Sequence, residues 1–404
     1  MNRGFFMHNR GRYFVQQGST GAGGGASPFS FTDPTFDNGS VLAIIDDGAG
    51  GKYVGGSFTS VTCNVTATTY TTGYTRLIHL LATGEVDAAW SCPINANYAQ
   101  ALALDVANDV LYVGGNFTAI GGETRACLAA VTASTGVVDT DWTCNTGQVY
   151  ALALDVANDV LYVGGGYSTI GGETRADLAA VTASTGVVDA AWTCNTSSSN
   201  YVETLALDVE NDILYVGGNI SYLAGVSRKD LAAVTASTGV LVSAWTCNTP
   251  GAGIVYVLAL DVANDRLYVG GAFTAIGGQT RADLAAVTAS TGVVDAAWTC
   301  NTASGDVRAL AVDSSADRLY VGGTFTNIDS ASPAKVSLAA VTASTGVVDA
   351  AWQCNASYVY ALQVDPANNA LFVGGAFSGA TGLDGEQRDR FGTVVASTGD
   401  LFVL

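Results

Sequence analysis

The feature that most constrains this chain is a repeat. A Gly-Gly pair preceded by Val returns with its first glycine at Gly55, Gly114, Gly164, Gly217, Gly270, Gly322 and Gly374, at spacings of 59, 50, 53, 53, 52 and 52 residues. Around the pair the copies agree closely: Ala-Leu-Ala-Leu-Asp-Val-Ala-Asn-Asp-Val-Leu-Tyr-Val-Gly-Gly occupies both 101–115 and 151–165. A unit of this length cannot bury an apolar sheet by itself, so it must stack on its neighbours. Stacking also lets 404 residues form one domain, although single cores stop growing near roughly 250 to 300 residues.

Each copy predicts four strands. In the third copy, an apolar first strand at 150–156 turns through Asn158 and Asp159, a pair that tolerates positive φ. The second strand runs through 161–165, the third through 177–183 up to Ser184, Thr185 and Gly186, and the fourth through 187–194 with Trp192. With 49 glycines, six prolines and 13% charged residues, the composition suits short strands and tight turns. The fold class expected is all-β, a seven-bladed β-propeller of four-stranded antiparallel blades over residues 28–404, with an open solenoid as the alternative. A closure device supports the ring. Asp stands three residues before Trp in Asp87 and Trp90, Asp139 and Trp142, and Asp349 and Trp352, and Asp33 and Phe36 repeat the spacing. The last copy stops one residue before its Trp slot, so residues 28–37 are expected to complete blade seven as its outer strand.

The strand at 113–117 (Val-Gly-Gly-x-Phe), Arg125 after it, and the Ser-Thr-Gly-Val-Val-Asp turn at 134–139 resemble the delta-60 type of propeller repeat. The resemblance covers 28–404 and is specific for fold. It implies a setting in bacterial surface proteins or phage virion proteins and no particular activity. The recurring Trp-x-Cys departs from that family's pattern.

A formal charge of −19 argues against nucleic-acid and anionic-membrane partners, which require a basic surface. No apolar run approaches the ~20 residues of a membrane span, so no membrane insertion is expected. Residues 1–17 also lack the apolar core of a secretory signal. Residues 1–27 read as an arm and a Gly-rich linker. Arg3, Phe5, Phe6, Arg10, Arg12, Tyr13 and Phe14 make the arm basic and aromatic, whereas the body is acidic. Such an arm suits anchoring to other structural proteins of an assembly. The leading expectation is therefore a structural or capsid-decoration protein of a bacteriophage virion, made in the host cytoplasm, with an adhesin module at the bacterial cell surface as the alternative.

Cys92, Cys144, Cys194, Cys247, Cys300 and Cys354 each follow a Trp by two, so they share one slot of the repeat. Equivalent positions in successive blades lie well beyond the ~7 Å Cα limit of a disulfide, and these six are expected to be buried thiols. Cys63 lies in an expanded loop, and a Cys63 to Cys92 bridge stays open. Mostly reduced cysteines favour a reducing cytoplasm. The Asp-x-x-Asn-Asp turns at 105–109, 155–159, 208–212 and 261–265 offer too few oxygens for calcium, so no metal or cofactor is expected. Arg125, Arg175, Arg228, Arg281, Lys335 and Arg388 recur at one position and are expected to pair with a nearby Asp in each blade.

No catalytic residues are expected. His8 lies in the arm, and His79 aligns with Ala130 if the first unit's turn is one residue shorter. Neither has an evident nucleophile beside it. A hydrolase with a carboxylate pair, for which Glu203 and Asp329 break the repeat, is the least favoured reading. Binding is better supported. The loops at 62–75, 329–336 and 379–388 and the linkers at 197–201, 249–255 and 302–306 vary between copies and belong to one face. At the start of each inner strand that face carries Val41, Gln100, Tyr150, Glu203, Tyr256, Arg308 and Tyr360. Aromatic faces with polar tips suit a cell-surface glycan, a peptide or a receptor.

Overall fold

The computed structural model describes residues 31–402 apart from 65, 72, 198–199, 252, 380–381 and 387. The anchoring residues Arg3, Phe5, Phe6, Arg10, Arg12, Tyr13 and Phe14 lie outside the described residues, as do 28–30. The described chain is all-β, made of many small antiparallel sheets, with only short 3-10 turns such as Val262–Asn264.

Seven times, three strands pair antiparallel in chain order, the second between the first and the third. Sheet 1 is Val41–Asp46, Lys52–Gly56 and Leu77–Leu80; sheet 2 is Tyr98–Asp105, Val110–Asn116 and Leu128–Thr132. Sheet 3 is Thr146–Asp155, Val160–Ile170 and Leu178–Thr182; sheet 4 is Tyr201–Asp208, Ile213–Asn219 and Leu231–Thr235. Sheet 5 is Ile254–Asp261, Arg266–Ala272 and Leu284–Thr288; sheet 6 is Val307–Asp313, Arg318–Gly323 and Leu338–Thr342; sheet 7 is Val359–Asp365, Ala370–Gly375 and Phe391–Val395.

The expected fourth strand is reduced to a single bridge per unit, such as Val131 with Val138 and Val181 with Val188. The cause is local. Asp139 and Asp189 take the next backbone amides on their side chains, those of Asp141 and Trp142 and of Ala191 and Trp192, so those amides cannot extend a ladder.

At the opposite end from the variable loops, the hairpin turns do what their sequence dictates. Asp109 and Asp159 adopt φ of 57°, and Asp109 accepts from the Ser134 amide and hydroxyl at 2.7 and 2.5 Å. Asp105 accepts from the amide and side chain of Asn108. The acids that resembled calcium ligands are thus engaged in turn hydrogen bonds, and the first-to-second turn is tied to the third-to-fourth turn.

Neighbouring units share one interface. Tyr112 and Trp142 both donate to the Ala183 carbonyl of the next unit, at 2.9 and 2.7 Å. The same pair recurs from Tyr53 and Trp90 to Tyr320 and Trp352. First strands of consecutive sheets pack on one another, and that of sheet 7 packs on that of sheet 1. Gly114 is glycine because a Cβ there would lie 2.5 Å from Val149 Cγ1; Gly374 stands in the same relation to Val41. The close approach needs a bare α-carbon.

Residues 31–39 meet sheet 7, but not as an outer strand. Thr35–Asp37 pairs with Ser60–Cys63 instead. Nor does Phe36 hold the Trp slot. Its amide donates to the Asp389 carbonyl, as that of Thr146 does to Ala126. Arg390 donates to the carbonyls of Phe36 and Gly39, as Arg76 does to those of Ile94 and Asn97. Phe36 therefore matches Ile94, four residues beyond Trp90. The Trp slot holds Phe31, whose ring meets Phe372 edge-on at 5.0 Å where other units stack Trp beside Tyr. Asp33 accepts from the Thr393 amide and hydroxyl at 3.0 and 2.6 Å.

The recurring basic residues do not pair with carboxylates as expected, with the exception of Arg388, which lies 3.5 Å from Asp33. Arg125 donates instead to the carbonyls of Thr124, Asp139 and Thr140, and Arg281 to those of Thr280, Asp295, Ala296 and Trp298. The segment carrying each Trp bends away from the ladder, and its exposed carbonyls are what the guanidinium satisfies. All eight cysteines are buried, and Cys63 and Cys92 are not bridged. Cys144 lies under the Gly171 turn of the next unit, and burial pushes its thiol up to about 12.

Candidate binding site

Each first strand carries an irregularity at its variable-loop end, and that of sheet 3 has a second between Thr146 and Gln148. The pairing register shifts between Ala99 and Ala101, Val149 and Ala151, Val202 and Thr204, Val255 and Val257, Val307 and Ala309, and Val359 and Ala361. The residues skipped by the ladder are Gln100, Tyr150, Glu203, Tyr256, Arg308 and Tyr360, all of them half-buried. A bulge re-aims its extra side chain. In sheet 1 the shift falls between Val41 and Ala43, so the bulged residue is Leu42. Val41, expected at this rim, is fully buried against Gly374, because it pairs with Gly56 as Ala99 does with Gly115.

The structure brings several of these residues together. Tyr150 donates to Gln148 Oε1 at 2.6 Å, and Gln148 Nε2 donates to the Tyr98 hydroxyl at 3.4 Å. The Tyr150 and Tyr201 rings stand 5.9 Å apart at 70°. The Arg308 guanidinium lies over the Tyr256 ring at 3.7 Å and pairs with Asp306 at 2.6 Å. Glu203 acts electrostatically on both Tyr201 and Tyr256, whose phenols burial pushes up. Both tyrosines are therefore neutral donors at physiological pH. Gln100 and Tyr360 hold the same bulge in sheets 2 and 7.

Tyr98, Gln148, Tyr201 and Asp306 were missed by the sequence reading, which took one position per strand. The signal was present: two residues before each bulge the chain again departs from its own repeat.

The other candidates fall elsewhere. His79 pairs with Tyr53 across the ladder, confirming its alignment with Ala130, and lies between Asp87 (2.9 Å) and Asp47 (3.1 Å) while stacking on Tyr53. Burial opposes its charge, but the two carboxylates outweigh burial and raise its pKa. Asp329, proposed as partner to Glu203, has its amide on the Asn301 carbonyl and its charge beside Cys300. Among the described residues no cluster of His, Cys, Asp and Glu is arranged to hold a metal ion, and no helix is long and apolar enough to cross a membrane. Compared with known proteins, the chain matches no family model and no curated relative, so the geometry alone bears on the role of this site.

Proposed function

We propose that the seven sheets are the blades of a closed seven-bladed β-propeller of the delta-60 type, and that the protein is a non-enzymatic structural or decoration module of a larger assembly whose variable end is a recognition surface. Closure is supported by one recurrence: the contacts that join neighbouring sheets also join sheet 7 to sheet 1. Val41 meets Gly374 as Val149 meets Gly114, and Arg390 grips residues 36 and 39 as Arg76 grips 94 and 97. An open superhelix would leave these contacts unmet at both ends. Electron microscopy of the purified protein is expected to reveal discs of seven-fold appearance; an open arc or another count would sink the proposal.

Recognition is supported by where the chain departs from its repeat. Among the described residues, His79, the cysteines and most acids are engaged in structural bonds or buried, whereas Tyr98, Tyr150, Tyr201, Glu203, Tyr256 and Arg308 gather at one end and stay half-exposed. A phage virion is the setting we favour, because a basic aromatic arm precedes an acidic body and all eight cysteines are buried without a bridge, which suits a reducing cytoplasm. Deleting residues 1–20 is expected to abolish incorporation into particles while leaving the propeller folded; unchanged incorporation removes the anchoring role. An adhesin at the bacterial surface is the second reading, favoured by the tyrosines, and Tyr150→Ala with Tyr256→Ala is expected to abolish attachment in either setting.

A further inference from the structure

Sheets 3 and 4 make a corner of two aromatic rings at the variable-loop end. The Tyr150 and Tyr201 rings form two walls at 70°. Gly166 lies beside both: a Cβ there would be 3.4 Å from Tyr150 Cε2 and 3.8 Å from Tyr201 Cβ. Asn116 and Asn219 hold the same position in sheets 2 and 4, where they face Tyr98 and Tyr201 across the ladder. Gly166 does not have a left-handed backbone, and its lack of a side chain leaves the angle between the two rings open where Asn116 and Asn219 would fill it. Gln148 holds the Tyr150 hydroxyl and reaches that of Tyr98, which fixes the first wall before any ligand arrives. Pre-ordering of this kind lowers the entropic cost of binding.

Charge narrows the ligand. Arg308, the cation of this rim, is already paired with Asp306 and stacked on Tyr256. Glu203 adds negative potential beside Tyr201, on a chain of net charge −19. A phosphate, sulfate or sialic acid would meet repulsion from Glu203 and Asp306, with Arg308 already engaged. Aromatic walls fringed by amide, phenol and carboxylate match a ring with apolar C–H faces and a rim of hydroxyls.

We propose that this corner seats a neutral pyranose, so that the recognition surface takes an uncharged oligosaccharide. The proposal rests on the reading of that end as a recognition surface. Sugar stacks in the angle between Tyr150 and Tyr201 over Gly166, and its hydroxyls donate to the Glu203 carboxylate and exchange hydrogen bonds with the Gln148 amide.

The full chain is tested on a glycan array and by calorimetry with the sugars it retains. Neutral hexose or N-acetylhexosamine oligosaccharides are expected to bind, and their sialylated or sulfated counterparts about tenfold more weakly or worse. Gly166→Asn, which installs the residue of sheets 2 and 4, is expected to weaken sugar binding by about tenfold or more with an unchanged thermal midpoint, and Tyr201→Ala to do the same. The proposal is overturned if no neutral sugar binds, if acidic sugars bind better, or if both variants bind like the parent. A peptide library on the same protein separates two failures. Peptides whose binding Gly166→Asn abolishes would replace the sugar and keep the recognition surface; retention of neither sugar nor peptide removes both.

Discussion

The carbonyl oxygen of Ala236 takes hydrogen bonds from both Tyr162 and Trp192 of the preceding unit, and buried donors of this kind are costly to leave unmade. Trp192→Phe is expected to destabilise by about 2 kcal/mol through the lost bond and the cavity, and Tyr162→Phe by about 1 kcal/mol, read as shifts of the urea midpoint. Titration works at the same scale. His79 has a raised pKa in the folded state, so its contribution is fully present below its unfolded value and fades as pH rises through the folded one. Burial raises Asp230 to about 6; an acid with a raised folded pKa likewise stabilises at low pH and loses that contribution as pH rises from about 4 to about 6. Thermal midpoints against pH are therefore expected to lose their decline above about 6.5 in His79→Gln. In Asp230→Asn they are expected to lose the decline between about 4 and about 6.

At the scale of the element, the hairpin turns were legible because their determinants are local: Asp105, Asn108, Asp109 and Ser134 satisfy one another within a few residues or across one hairpin. The bulges were not legible. Val41 and Leu42 are both apolar, and only the pairing of Val41 with Gly56 decides which of them leaves the ladder. The partners of Arg125 were also hidden, since main-chain carbonyls carry no sequence signature. Gly164 reports on how closely first strands stack, because a Cβ there would sit 2.6 Å from Val202 Cγ1. Gly164→Ala is expected to cost about 1–3 kcal/mol by overpacking, measured by chemical denaturation.

For the whole molecule, the proposed closure differs from every other interface in its aromatic pair. Phe31 and Phe372 replace Trp and Tyr and provide no hydrogen-bond donor, while Lys52 lies over the Phe372 ring at 4.5 Å. The seam should be the first interface to open. Arg390→Ala, which removes donors to Phe36 and Gly39, is expected to expand the molecule in small-angle scattering at mild denaturant concentration. Arg76→Ala removes the matching bonds inside the array and is expected to act more weakly. Equal effects of the two variants would show that the seam is no weaker than its neighbours.

The sequence by itself determined the unit, its count, its first three strands and the burial of its Trp-x-Cys motif, because periodic apolar patterning and turn residues act over short range and are repeated seven times. Tertiary structure alone decided that Phe31 rather than Phe36 fills the last Trp slot, that Leu42 is the bulged residue, and that Tyr150 meets Tyr201 over Gly166. Each of these depends on which residues of one unit face another, and the pattern within a single unit does not encode that distance.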